Sequence, residues 1–320
     1  NAAYGFVIRS LSKAEVTQGE TGRSLKAAGY VEQTPHWFYV LKEAEMRPTG
    51  IAKHVLWPAA LAALIAFTAA AVFPREQSQA PNTLSDREKA EGWRLLFDGE
   101  SFSGWRGIGR SDVPPGHWTI EDGAIKKVPT KDVPLYKDGQ PLAGGDLMTV
   151  ETFEDFELRF EWKISPAGNS GVKYNVSEEM SRANPPGTAA LGFEYQVLDD
   201  ALHPDAKNGP NRTAGALYDL IPADPAAKGL RPVGEYNAAR IVFVGSHGEH
   251  WLNGKKVLEF DLGTPRMAGF LSKSKYRDIK GFAERRTAHI VLQDHTDAVW
   301  YRNIKIREVR KDRPSANIEF

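Results

Sequence analysis

The stretch Phe156–Ile164 reads FELRFEWKI, with Leu158, Phe160, Trp162 and Ile164 alternating with Glu157, Arg159, Glu161 and Lys163. Strict alternation over nine residues is the mark of a strand with one face in a core and the other in water, as in an antiparallel sheet. Working outward from it, similar short runs fall at 93–97, 117–120, 171–176, 193–198, 240–244, 250–252, 256–260, 289–293 and 299–306. Turn residues separate them: Asp98-Gly99, Asp122-Gly123, Ala167-Gly168-Asn169 and Asn253-Gly254. Asn-Gly between two strand-like runs favours a type I′ hairpin. Only 85–92 reads as a helix in this part of the chain. Many short strands without intervening helices predict an all-β fold, and we expect a two-sheet antiparallel jelly-roll sandwich. Long connections at 107–116, 129–146, 178–192, 203–212 and 222–232 interrupt it, and loops of that length in a domain usually build sites or lids.

The whole chain has 320 residues, 41 Lys+Arg against 41 Asp+Glu, and no cysteine. Balanced charge without a basic recognition motif argues against a nucleic-acid partner. Without cysteine there is no disulfide, thiol nucleophile or Cys-bound metal, so a divalent metal would take His, carboxylate or amide ligands. No organic cofactor is expected. The residues 55–73, VLWPAALAALIAFTAAAVF, carry no charge and follow Met46, Arg47 and Lys53. A basic start, an apolar stretch and a small-residue run are in signal-peptide order. The expected organisation is an upstream extension over 1–45, an N-terminal apolar helix over 46–73 acting as signal peptide or membrane anchor, and a linker over 74–90. A β-sandwich over 91–309 and a tail over 310–320 complete it. The protein is then exported, periplasmic or extracellular, and meets a membrane through the N-terminal helix if that helix is retained. Residues 81–320 carry a net charge of −2, which suits an uncharged partner.

Four clusters carry chemistry-bearing side chains. In GNSGVKYNV (168–176), period two places Asn169, Gly171, Lys173 and Asn175 on one face and Val172, Tyr174 and Val176 on the other. In GFEYQVLDD (192–200), Glu194 and Gln196 share a face opposite Phe193, Tyr195 and Val197. The third is TAGALY (213–218), and the fourth runs from IVLQDH (290–295) to VWYRNI (299–304), with Gln293 and His295 on one face. An acid beside an amide occurs on sugar-binding sheets and on ordinary solvent faces alike, and a histidine at a strand end is more often structural than catalytic.

Taken in order, Leu95, Phe97-Asp98-Gly99, Gly104-Trp105, Trp118, Ile120 to Gly123, Gly144 to Leu147, Phe156 to Leu158, Gly168 to Gly171, Phe193 to Asp199, Gly215 to Tyr218, Trp251 to Gly254, Gln293 to His295 and Trp300 to Ile304 resemble the 3-keto-disaccharide hydrolase domain family over about residues 91–309. The resemblance implies a concanavalin A-like lectin/glucanase jelly roll, exported in bacteria, acting on glycosides whose C3 hydroxyl has become a ketone. Lys173, where an aliphatic or aromatic residue is frequent, and the inserts at 129–143 and 271–287 depart from the family pattern.

A C3 ketone acidifies the hydrogen on C2. Removing it lets the C1 substituent leave by β-elimination, and water then adds to the enone. Such a site needs a base at C2, a cation or donor at the C3 oxygen and an acid for the departing oxygen. The residues expected to supply these are Glu194 as base, His295 as acid/base partner and Asp199 as a second carboxylate. Asn169, Gln196 and Gln293 are expected to bind hydroxyls, Lys173 to polarise the ketone or hold a hydroxyl, and Tyr218 or Trp300 either to offer a ring to the sugar or to pack in the core. Arg302, sharing a face with Ile304 and Ile306, is expected to be a buried partner for a carboxylate or a substrate contact. If a divalent metal binds, Glu194, Asp199, His295 and His203 are its expected ligands. Two alternatives stand beside this reading: a carbohydrate-binding module without activity, and a conventional two-carboxylate glycosidase using Glu194 and Asp199.

Overall fold

The computed structural model describes residues 80–309 except Lys131 and Asp138. The upstream extension, the apolar segment 46–73 with its expected helix, the first part of the linker and the tail lie outside the described residues. In chain order the elements are α1 (Asp86–Ala90), β1 (Arg94–Leu95), β2 (Trp105–Gly107), β3 (Trp118–Glu121), β4 (Ala124–Lys127), β5 (Leu147–Thr149), β6 (Phe156–Ile164), β7 (Asn169–Val176), α2 (Glu178–Ala183) and β8 (Phe193–Leu198). Then come β9 (Asn237–Val244), β10 (His247–Leu252), β11 (Lys255–Asp261), α3 (Pro265–Leu271), β12 (His289–Leu292) and β13 (Val299–Glu308).

The strands form two antiparallel sheets. One runs β11-β10-β9-β6-β13-β4-β3 with β1 added beside β13, and the other runs β2-β5-β12-β7-β8. The expected sandwich is therefore present, with β6 at the middle of the larger sheet. Phe156, Leu158, Phe160, Trp162 and Ile164 enter the core, while Arg159, Glu161 and Lys163 stay partly solvated. Edge-to-face contacts among Phe156, Tyr174, Phe193 and Phe243 fill the gap between the sheets. The buried Tyr174 hydroxyl pairs with His250 Nε2 at 2.8 Å, and His250 Nδ1 reaches the Gly215 carbonyl at 3.1 Å, so the polar atoms of this cluster are satisfied. Both short hairpins have the expected turns. Asp122 and Gly123 have φ of 51° and 69°, and Asn253 and Gly254 of 47° and 84°, the signs that a type I′ turn requires.

Three expectations need correction. Helices α2 and α3 stand where no helix was expected, α2 inside the 178–192 connection; Ser177 caps the first, and Thr264 with Pro265 starts the second, both ordinary start signals. Val176 does not share the core face of Val172 and Tyr174. Asn175 has a φ of 55°, a local kink that rotates Val176 to the outer face with Met148, Ala190 and Val291. Arg302 likewise does not lie with Ile304 and Ile306. Asn303 has a φ of 53°, and the β13–β6 register shifts between Arg302 and Lys305, so Ile304 is buried while Arg302 faces outward. Strand alternation carries through a regular ladder and fails at a bulge.

Candidate active site

Both faces of β7 and β8 are buried. The inner face is apolar. The outer one carries Asn169, Lys173, Glu194 and Gln196, each 3% exposed or less. Buried polar side chains on an outer sheet face cost free energy unless they are paired, and loops supply the pairing here. Lys173 and Glu194 are directly opposed in the β7–β8 register, and Gly171 faces Gln196. Gly171 has to be glycine for this packing, since a Cβ there would lie 2.3 Å from Glu194 Oε1. Oriented so that both its ends are satisfied, the Gln196 amide donates to Glu194 Oε1 and to the Ser170 carbonyl, each at 3.1 Å. Lys173 Nζ donates to the Ala190 carbonyl (3.0 Å) and to Gln140 Oε1 (3.3 Å), and lies 3.4 Å from Asp146 Oδ2. Burial pushes the Glu194 carboxyl up to about 7, against the pull of Lys173 and Lys275 and with help from Asp146 and Asp205. A carboxyl poised there accepts a proton at neutral pH without holding it tightly.

The two inserts border this face. Leu135 and Pro141 pair as an isolated bridge, and the small loop they close presents consecutive residues to the site. Gly139 lies against the His295 ring, so that a Cβ there would be 2.7 Å from Cε1, and Gln140 meets Lys173. His295 and Lys173 thus flank neighbouring residues of one loop, whose Cα atoms are about 3.8 Å apart. From the 271–287 insert, Lys275 Nζ lies 4.8 Å from the Tyr218 ring centroid. Tyr218 hydrogen-bonds through its hydroxyl to Asp205 (2.9 Å) and Arg212 (3.2 Å), and its backbone N–H donates to the Glu194 carbonyl. Cations therefore flank a ring that was expected to face a sugar.

Beside the Glu194–Lys173 pair, His203, His295 and Asp297 bring their polar atoms within 4.8 Å of one another, and Asp297 Oδ2 accepts the Asn169 N–H at 3.1 Å. Burial raises the Asp297 carboxyl and, with His295, lowers His203, which keeps the His203 ring neutral at pH 7. Behind them Asp294 is fixed by His117 Nδ1 (2.5 Å), Lys127 Nζ (3.1 Å) and its own N–H on Asp146 (2.8 Å).

This triangle does not reproduce the expected metal-ligand set, because Asp297 stands where Glu194 and Asp199 were expected. His203 Nδ1 accepts the Asp205 N–H at 3.1 Å, which in the neutral ring leaves the hydrogen on Nε2, so a cation bound at Nε2 would cost that hydrogen bond. A second group on the larger sheet, His247, Glu249 and Glu259, already holds the Lys256 ammonium between its two glutamates.

Of the expected residues, the structure gathers Glu194, Gln196, Lys173, Asn169, Gln293, His295, His203 and Tyr218. Gln293 is 4% exposed, and its Oε1 has no hydrogen-bond partner among the described residues. An orphaned buried acceptor costs about 1–3 kcal/mol, and a sugar hydroxyl would relieve it. Asp199 is near in sequence but committed elsewhere: its carboxylate takes the N–H groups of Ala167, Ala201 and Leu202 and so shapes the turn after β8. Trp300 and Arg302 are corrections. They lie on the outer face of the larger sheet, where Trp300 donates to Glu121 (2.7 Å) and Arg302 to Glu161 (2.7 Å). Tyr301 between them points into the core and donates to Ser170 Oγ, so the core separates both side chains from Glu194. Gln140, Asp146 and Asp297 were missed because each lies in a connection without periodicity; the length of the 129–146 loop was the signal for Gln140 and Asp146, and no pattern pointed to Asp297.

Comparison with known proteins adds the following. The family profile described as the 3-keto-alpha-glucoside-1,2-lyase-like domain matches residues 92–307. A 3-keto-disaccharide hydrolase of Bacteroides thetaiotaomicron is 39% identical over 243 residues, covering 70% of this chain and 77% of that protein. Among solved structures, a candidate glycosyl hydrolase from Parabacteroides distasonis superposes with a TM-score of 0.61 at 29% identity, over 72% of this chain and 100% of that one. A second from the same organism has a TM-score of 0.49 at 28% identity, over 68% and 99%.

Proposed function

Because this chain belongs to the 3-keto-alpha-glucoside-1,2-lyase-like family, we propose that its buried polar face cleaves 3-keto-glycosides by elimination across C1–C2 followed by hydration. A lyase in the family description and a hydrolase among the relatives are both accommodated, since elimination plus hydration is net hydrolysis. The observation that carries the reading is the Glu194–Lys173 pair: a carboxyl held near neutrality directly across a strand pair from an ammonium. Glu194 takes the C2 proton. Lys173 stabilises the negative charge that develops on the C3 oxygen, in a site where low solvent access strengthens the interaction. His295 protonates the departing oxygen, and Gln293, Gln196 and Asn169 hold hydroxyls.

Glu194 and Lys173 are both closed off from solvent, so substrate entry requires the segments that cover them, among them those of Gln140 and Ala190, to give way. The two-carboxylate alternative finds little support, since Asp199 is taken up by backbone donors. The signal-peptide order of residues 46–73 supports export, with the site working in the periplasm or outside the cell.

Matched pairs of a glycoside and its 3-keto derivative, given to the wild type and to Glu194→Gln, test the proposal. Aglycone release from the keto member alone, lost in the variant, is expected; equal cleavage of the unoxidised glycoside would overturn it.

A further inference from the structure

We propose that His203, Asp297 and His295 form the hydration centre of the site, a station that holds and deprotonates the water added to the enone, distinct from the Glu194–Lys173 pair that makes the enone. The inference rests on the elimination reading above and assigns the water to His203 and Asp297, with His295 and Glu194 passing protons in both half-reactions.

Three observations carry it. The polar atoms of the three residues lie within 4.8 Å of one another, close enough for one oxygen at ordinary hydrogen-bond distance to touch them all. Their roles are also differentiated. The Asp205 N–H on His203 Nδ1 fixes His203 as a donor through Nε2, while Asp297 is an acceptor held in place by the Asn169 N–H. A water needs both a donor to its lone pair and an acceptor for its hydrogen, and this pair supplies one of each. Finally, the triangle adjoins the Glu194–Lys173 pair and shares only His295 with the elimination step. His295 packs on Gly139 and Lys173 on Gln140, neighbouring residues of one loop, which sets the triangle beside the Glu194–Lys173 pair.

The proton inventory closes. In elimination the C2–H and C1–O bonds break and the C1=C2 bond forms; Glu194 receives the C2 proton, and protonated His295 gives its proton to the leaving oxygen. In hydration the water oxygen bonds to C1 and its proton goes to His295, with Asp297 balancing the charge. The π electrons return to C2, which takes the proton back from Glu194. Both groups end as they began, and no further reactant is needed. His203 acts on the water directly, by donation.

The test supplies the enone itself, prepared by base-catalysed elimination of a 3-keto-glycoside, alongside the intact 3-keto-glycoside. Disappearance of the enone chromophore and release of aglycone are followed separately for wild type, Asp297→Asn and His203→Gln. The expected result is that both variants lose about 10²–10⁴-fold in enone hydration, a larger loss than in aglycone release, so that enone accumulates from the intact substrate. Nitrogen-15 shifts of labelled histidine are expected to report hydrogen on His203 Nε2. Undiminished hydration in the variants, or absence of hydration by the wild type, would overturn the proposal. So would a stoichiometric metal ion retained by the wild type and lost from Asp297→Asn. Failure of the wild type on the 3-keto-glycoside, with enone hydration intact and sensitive to Asp297, would instead count against the elimination reading alone.

Discussion

Glu194 owes its chemistry to its address. A carboxyl on a solvated strand face titrates far below neutrality; buried over Gly171 and under two loops, this one reaches about 7. Two consequences follow with opposite signs. Elimination needs the carboxylate, so kcat/KM on a 3-keto-glycoside rises with pH through a limb centred near 7, and Glu194→Gln abolishes the limb along with about 10²–10⁴ of the rate. Stability runs the other way. The folded carboxyl is raised above its ordinary 4.5, so folding is favoured while the group is protonated, and that advantage is lost as pH rises from 4.5 through 7. Glu194→Gln is therefore expected to be more stable than the wild type at pH 8, by up to ~3 kcal/mol for a shift of this size, with the gap closing toward pH 4.5. Urea unfolding at the two pH values checks it.

Gly139, at the other side of the site, has a φ of 86°, and its hydrogen faces His295. Gly139→Ala introduces a methyl where the His295 ring lies, so aglycone release is expected to fall by at least tenfold, with little change in the spectrum of the folded protein. Unchanged release would mean that His295 does not serve the reaction from this position. Glu194, Gln196 and His295 could be singled out from sequence because they sit on regular strands or at a strand end. Asp297 and Gln140 could not, since a loop residue's partner depends on the path of the whole loop.

The elements explain which faces could be read. Along β6 and β8, alternation in the sequence matches alternation in space. In β7 and β13 a single left-handed asparagine breaks it. Asn303 is held in that conformation by a reciprocal pair of hydrogen bonds with Asn82, N–H to Oδ1 in each direction, at 2.5 and 2.8 Å. The cost of a left-handed non-glycine residue, roughly 1–2 kcal/mol, is offset by contacts from a segment more than two hundred residues earlier in the chain. No local reading of VWYRNIKI contains that information, and for this reason Arg302 was expected in the core. The bulge yields a prediction: with Arg302 and Trp300 on the far side of the core, Trp300→Ala and Arg302→Ala leave kcat/KM on 3-keto-glycosides within about twofold of the wild type, although each loses an ion pair or hydrogen bond at the surface. A large fall in kcat/KM without a fall in stability would place the substrate on the wrong sheet in this account.

At the scale of the molecule, the two sheets differ in what covers them. The outer face of the larger sheet is open and laced with ion pairs such as Arg302–Glu161 and Lys126–Glu121. Its counterpart on the smaller sheet is covered by the loops around Gln140 and Ala190, which turn a polar strand face into a buried, low-dielectric one. The sandwich itself was legible from period two and turn residues, because those are local properties. Which face would be roofed was not, since long loops announce a site without saying over which strands they close. Export, expected from residues 46–73, is checked by fractionating cells that express the full chain; protein confined to the cytosol would contradict it.

The central claim is that glycosidic cleavage begins with removal of the C2 hydrogen by Glu194. Its most direct test is single-turnover aglycone release from a 3-keto-glycoside carrying deuterium at C2, compared with the unlabelled substrate. The account predicts slower release from the deuterated substrate and release slowed about 10²–10⁴-fold in Glu194→Gln. Equal rates for the two substrates, with undiminished release by Glu194→Gln, would contradict it.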